Sequence, residues 1–455
     1  MSKLNSAQRD RVMALIQSLP AKHRQALLAA LSSGAKDSDA LMALVENAMA
    51  SLASEEKAAS EQRKAKALAP VRPLASPSNA SWGAGRLTEA GLEAFWAWAV
   101  RDLAGEPEDD PSEWQRRAAA GAQHAIADKA RRKALLKKLG SEARVAEAEH
   151  IAAILTVGPE INAFFADWGD LVQELNDGLV DQVRVLHDRL VEIAPDVAPL
   201  LLILVARRLR QPHQVLRALK RCTKQSSDRV ITKTDMKLVG DTLIDDLDEW
   251  LTQLELPRRG LIDVDGTLAA LKSIMVRTIG MTREFEIQKD GAWGVRISRA
   301  RAEAARRMEK ICGQLNTELE QGLPIVRRRG ARNAPRIVQP DLDVEPNPET
   351  IARTTSFAQL VRASSALGAQ GGYSNAVNQA LADAETYITD YVDELVRVAR
   401  GTDQDGFEAA QIWFEPVVQV ALAAGGEQFG DLARRRFRAA SPEDLSERVN
   451  LAVNG

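Results

Sequence analysis

Two aspartates one residue apart, in Leu261-Ile262-Asp263-Val264-Asp265-Gly266-Thr267-Leu268, are the residues of this chain best suited by type and spacing to do chemistry. A carboxylate that attacks as a nucleophile beside a bound metal splits a slow hydrolysis into two easier steps. A second acidic run lies upstream, at Val239-Gly240-Asp241-Thr242-Leu243-Ile244-Asp245-Asp246. The same residues also have a purely architectural reading. Asp265 can cap a helix starting near Thr267, Gly266 eases the turn, and Asp241 to Glu249 reads as a solvated acidic helix face.

The DVDGT segment with its apolar lead-in resembles the first motif of the haloacid dehalogenase-like phosphohydrolases. The resemblance implies Asp263 as the nucleophile on phosphorus, Asp265 as the general acid/base, and Mg²⁺ bridging carboxylates and phosphate. The upstream run resembles that family's acidic metal-binding motif, which would place metal on Asp241 and on Asp245 or Asp246. It stands before the first motif, whereas the family places it after. The family's fold would also require a doubly wound parallel sheet, and only Gly260–Ile262 reads as a strand leading into Asp263.

Other arrangements that could carry chemistry are sparser. Glu147-Ala148-Glu149-His150 has the E-x-x-H spacing that sets two ligands on one helix face in di-iron bundles, but no second such pair exists among five histidines. The chain lacks a Walker-type phosphate loop, a dinucleotide fingerprint, H-E-x-x-H and G-x-S-x-G. Cys222 and Cys312 are the only cysteines, too few for a disulfide framework or a thiolate zinc site. No metal and no cofactor are therefore expected, Mg²⁺ entering only with the phosphohydrolase reading.

Charge is distributed unevenly along the chain. From Arg296 to Arg336 there are eleven Lys and Arg against four Glu, a local charge of +7, while residues 341–400 carry nine Asp and Glu against four Lys and Arg. Arg327, Arg328, Arg329, Arg332 and Arg336 lie in a Pro-rich stretch and are the expected partner-binding residues. Such a patch can hold phosphates of a nucleic acid through counterion release. It can equally dock on an acidic protein face. Over the whole chain the net charge is only −3, so any nucleic-acid role would have to be local.

These residues must be positioned by helices. Hydrophobic residues make up 45% of the 455, enough for a sizeable core, whereas aromatics make up only 4% and alanine is abundant, which favours helix over sheet. Leu171, Leu175, Leu179, Val183, Leu186, Leu190 and Ile193 recur every three or four residues, the spacing of one helix face turned to a core. The nearly all-apolar run Val197 to Val205 follows Pro195 and must be packed on most sides. A basic amphipathic segment then runs to Cys222. This run is about half of what a membrane helix needs, and the charged N-terminus lacks a signal-peptide pattern, so a cytoplasmic protein is expected.

The expectation is an all-α, multi-helix, multidomain protein: helical bundles joined by Pro-rich linkers, with one small β-hairpin near 284–297. The hairpin rests on period-two apolar positions (Phe285, Ile287, then Trp293, Val295, Ile297) around Asp290-Gly291. The expected domains are 1–68, a linker 69–86, a central domain 87–323, a charged linker 324–348 and a C-terminal domain 349–455. The expected function is that of a non-catalytic scaffold or regulatory adaptor, binding protein partners or itself through amphipathic helix faces. The Mg²⁺-dependent phosphohydrolase and the nucleic-acid binder are the alternatives.

Overall fold

The computed structural model describes residues 54, 56–76, 87–108, 110–169, 171–326, 339–401 and 404–439. The chain is all-α: 79% of these residues are helical. The strands among the described residues are two-residue segments, β1 (Ala75–Ser76) and β2 (Leu87–Thr88), paired in parallel as Ala75 with Leu87 and Ser76 with Thr88. No helix among the described residues is long and apolar enough to cross a membrane.

The chain divides into two compact units. Of the described residues, those up to Leu171 together with Leu186–Arg207 form unit 1, and Val172–Val185 with everything from Arg208 onward form unit 2. In unit 1, helical residues 56–67 are followed by α1 (Glu89–Trp98), α2 (Pro111–Ala127), α3 (Lys129–Leu139), α4 (Glu142–Thr156) and α5 (Gly158–Phe165). α2 packs against α4, and both against the α1 region. Their ends follow local rules: Thr88, Asp110, Asp128 and Ser141 each accept a backbone N–H of the first turn, satisfying donors that a helix start leaves orphaned. Phe95 and Trp98 are core residues, and Trp96 lies 5.1 Å from Trp114 between ring centroids.

Helix α6 (Asp177–Ile193) gives its first half to unit 2 and its second to unit 1, and α7 (Ala198–Arg207) follows in unit 1. Every residue of α7 from Ala198 to Ala206 is buried, as its unbroken apolar composition requires.

Unit 2 contains α8 (Val215–Thr223), the short α9 (Asp228–Ile231), α10 (Lys237–Gln253), α11 (Val264–Glu284), α12 (Ala292–Gly322), α13 (Pro348–Gly371), α14 (Ser374–Gly401), α15 (Gln404–Gly425) and α16 (Glu427–Arg438). The 31-residue α12 is its spine, packed by α10, α11, α13 and α14. Trp293, Ile297, Ala300, Ala304, Met308, Ile311, Leu315 and Leu319 form its buried stripe. α15 closes on α13 and α14, and α16 on α15.

The β-hairpin near 284–297 is not formed. Trp293 and Ile297 are one turn apart on α12 and both buried, while Val295 between them is 54% exposed. The apparent period of two came from an i, i+4 helical pair with a solvent-facing valine between. Phe285 is extended, but Glu286 pairs with Ser226–Asp228, through Glu286 N–H to Ser226 O at 2.9 Å and Asp228 N–H to Glu286 O at 3.3 Å. The bridge partner of Glu286 is therefore remote in sequence.

Both stretches expected as linkers have packed portions. Of 69–86, Val71 and Leu74 are buried and residues 72–74 pack on α7; residues 77–86 lie outside the described residues. Of 324–348, Val326 N–H bonds Gln339 O at 2.8 Å and Asp341 N–H bonds Pro324 O at 2.9 Å, which draws the two flanks together. Trp413 of α15 donates its indole N–H to Val344 O at 3.2 Å. Most of the N-terminal domain expected over 1–68, and the end of the C-terminal domain from residue 440, lie outside the described residues.

Candidate functional site

Of the carboxylates singled out by spacing, Asp263, Asp241, Asp245, Asp246 and Glu147 each hold a piece of the fold. Asp263 is the N-cap of α11: its Oδ1 accepts Gly266 N–H at 2.9 Å and its backbone carbonyl accepts Thr267 Oγ1 at 2.7 Å. The cap is thus Asp263, with the exposed Asp265 two residues inside the helix. The loop before it is pinned by Arg353 of α13, which donates to Pro257 O at 3.0 Å and Gly260 O at 2.9 Å while its fork grips Glu318 at 2.9 Å twice. No parallel sheet surrounds Asp263, since the described strands are β1 and β2 alone.

Asp241 and Asp245 tie α10 to α12. Asp241 Oδ1 accepts the Trp293 indole at 3.1 Å and Arg296 Nη1 at 3.2 Å, and Asp245 Oδ1 accepts Arg296 Nη2 at 2.5 Å. Gly240 makes this possible, because a Cβ there would lie 2.2 Å from the Trp293 ring. Asp246 faces the other way and pairs with the buried Arg277 at 3.0 Å, whose guanidinium also lies 4.9 Å from the Trp250 ring centroid. Glu147 of the E-x-x-H pair accepts Thr88 N–H at 3.1 Å and so braces the start of α1. Among the described residues no three His, Cys, Asp or Glu side chains gather in a way that could hold a metal ion.

The basic segment 296–336 is divided. Arg296 is engaged as above, and Arg306 and Arg307 both donate to Glu303, drawing its carboxyl down to about 2. Arg299 and Lys310 are exposed. Arg327, Arg328, Arg329, Arg332 and Arg336 lie outside the described residues.

One basic concavity was not singled out from sequence. It is an open groove of about 930 Å³ on unit 2, formed by the first half of α6, the end of α8, the 224–226 turn and the end of α11. Five cations line it (Arg217, Lys220, Arg221, Lys224 and Arg283) against three acids, Asp177, Asp181 and Glu284. Arg217 grips Glu284 through two bonds of 2.7 and 3.1 Å, and Arg283 adds two more at 3.0 and 3.2 Å. These bonds, Arg217's first, hold the Glu284 carboxyl below its ordinary value. Arg221 bonds Asp181 at 3.2 Å. Lys220 and Lys224 are exposed and have no ion-pair partner among the described residues. The only sequence signal was the basic amphipathic character of α8; the other walls come from positions far away in the chain.

What the fold and these sites define is a helical protein whose marked carboxylates are bound into the architecture and whose open groove is basic. Comparison with protein-family models, with curated proteins and with solved structures finds no match to this chain.

Proposed function

We propose that the protein is a non-catalytic scaffold or regulatory adaptor that holds protein partners, or a second copy of itself, on its helix faces. One observation carries this reading. The carboxylates that would do phosphoryl chemistry, Asp263, Asp241 and Asp245, are hydrogen-bonded to a helix start, an indole and a guanidinium. A nucleophilic or metal-bridging carboxylate must present its oxygens to substrate, whereas each of these gives its Oδ1 to the fold.

The test is capture of partners by the tagged full-length chain from its own host's lysate, with and without nuclease, together with a phosphate-release assay. A defined protein partner that survives nuclease, with no Mg²⁺-dependent release, is the expected result. Release that Asp263→Asn abolishes would overturn the reading in favour of the phosphohydrolase. Loss of every partner on nuclease treatment would overturn it in favour of nucleic acid, with Arg327 to Arg329 the first residues to replace.

A further inference from the structure

We infer that the basic groove of unit 2 is a binding site for a small, multiply phosphorylated anion recognised by charge, independently of the adaptor reading. Three observations converge on this. First, the lining carries a net positive charge inside a concavity whose walls focus the field. Its volume, about 930 Å³, lies in the range of small-molecule sites.

Second, the cations differ in how far they are already paired. Arg217 and Arg283 share the single carboxylate of Glu284, and Arg221 bonds Asp181. Lys220 and Lys224, exposed and without an ion pair among the described residues, line the same groove and are left to meet a ligand.

Third, Lys224 is held in the left-handed region at φ +55°, alone among the described non-glycine residues. It caps the C-terminus of α8, a position where glycine or asparagine adopts this conformation with little strain. Lys220 and Arg221 have an ordinary role there, offsetting the negative end of the helix dipole. That role does not call for a lysine in a strained backbone at the cap itself. A strained residue whose side chain lines an open basic groove is the pattern of a position kept for its side chain.

The lining contains no aromatic ring, so nothing there stacks on a nucleobase. The site therefore reads phosphate, whether from inorganic polyphosphate or from the phosphate tail of a nucleotide. Titration calorimetry of the full-length chain with tripolyphosphate, and separately with ATP, tests this at low salt. Tripolyphosphate is expected to bind, and ATP no more tightly. The double substitution Lys220→Ala/Lys224→Ala is expected to weaken binding at least tenfold, as loss of charge-assisted contacts does. Arg299→Ala/Lys310→Ala, on the other basic helix, is expected to leave it unchanged. Lys224→Gly is the sharpest variant, since it should raise the melting temperature while lowering affinity. No detectable binding by the parent chain would overturn the inference. So would binding indifferent to Lys220 and Lys224, or equally sensitive to Arg299 and Lys310. A tenfold preference for ATP would overturn the claim that charge alone is read.

Discussion

Acid destabilises this protein through His213, and the size of the effect follows from its surroundings. The side chain is 1% exposed, and neither ring nitrogen has a hydrogen-bond partner among the described residues. Its ring fills the space where a Cβ on Gly280 of α11 would stand, 2.2 Å from Nε2. Burial is the main cause that lowers its pKa from 6.5 to about 4; Arg277, Arg283 and Arg217 push the same way and Glu284 opposes them. Because the folded value lies below the unfolded one, the unfolded chain takes up the proton first as pH falls. The stability associated with neutral His213 is complete above pH 6.5, is lost between 6.5 and 4, and changes no further below. At 1.36 kcal/mol per pH unit the whole loss is about 3 kcal/mol, and about 2 kcal/mol of it has gone by pH 5. Urea unfolding at pH 7.5 and pH 5 measures this directly, with His213→Phe as the reference. Phenylalanine keeps a planar ring and removes no hydrogen bond, so at pH 7.5 the two proteins should be within about 1 kcal/mol. Between the two pH values the parent should lose about 2 kcal/mol more than the variant. Equal losses in both would refute the argument that a desolvated neutral imidazole sits at this position.

Three further outcomes follow from the same geometry. Asp263→Ala removes the N-cap of α11 and should cost about 1 kcal/mol in chemical denaturation; no loss would mean the cap bond is not formed. Arg277→Ala takes the guanidinium away from the buried Asp246 carboxylate and from the Trp250 ring, so a loss of about 3–5 kcal/mol is expected, and one below about 1 kcal/mol would show that the pair is not desolvated. Lys224→Gly relieves the left-handed strain and should stabilise by about 1 kcal/mol, read as a rise in melting temperature; destabilisation would mean the lysine side chain itself holds α8.

Much of the helical architecture was legible because it is written at short range. The helix face of Val377, Leu381, Ala384, Ile388, Val392 and Leu395 predicts a helix over about 373–400, and α14 runs Ser374–Gly401. Val197 to Val205 had to be buried, and it is. Where two periods coincide, short-range reading fails: Trp293, Val295 and Ile297 fit both a strand and one helical turn, and the rest of the α12 stripe decided for the helix. The cap of α11 lies two residues before the expected one for a similar reason, since Asp263 and Asp265 are both competent caps and only the backbone shows which one stands outside the helix.

The sequence by itself determined the class of this protein, because helix propensity, capping and amphipathic period act within four residues of their origin. Tertiary structure alone decided what the charged residues are for. Asp241 reads as a metal ligand or a solvated face until Trp293 and Arg296 arrive from more than fifty positions away. Arg217 reads as an exposed helix cation until Glu284, 67 residues on, is brought to it. A charge takes its role from whatever lies within a few ångströms, and which partner lies there is settled by the packing of whole helices, not by local spacing.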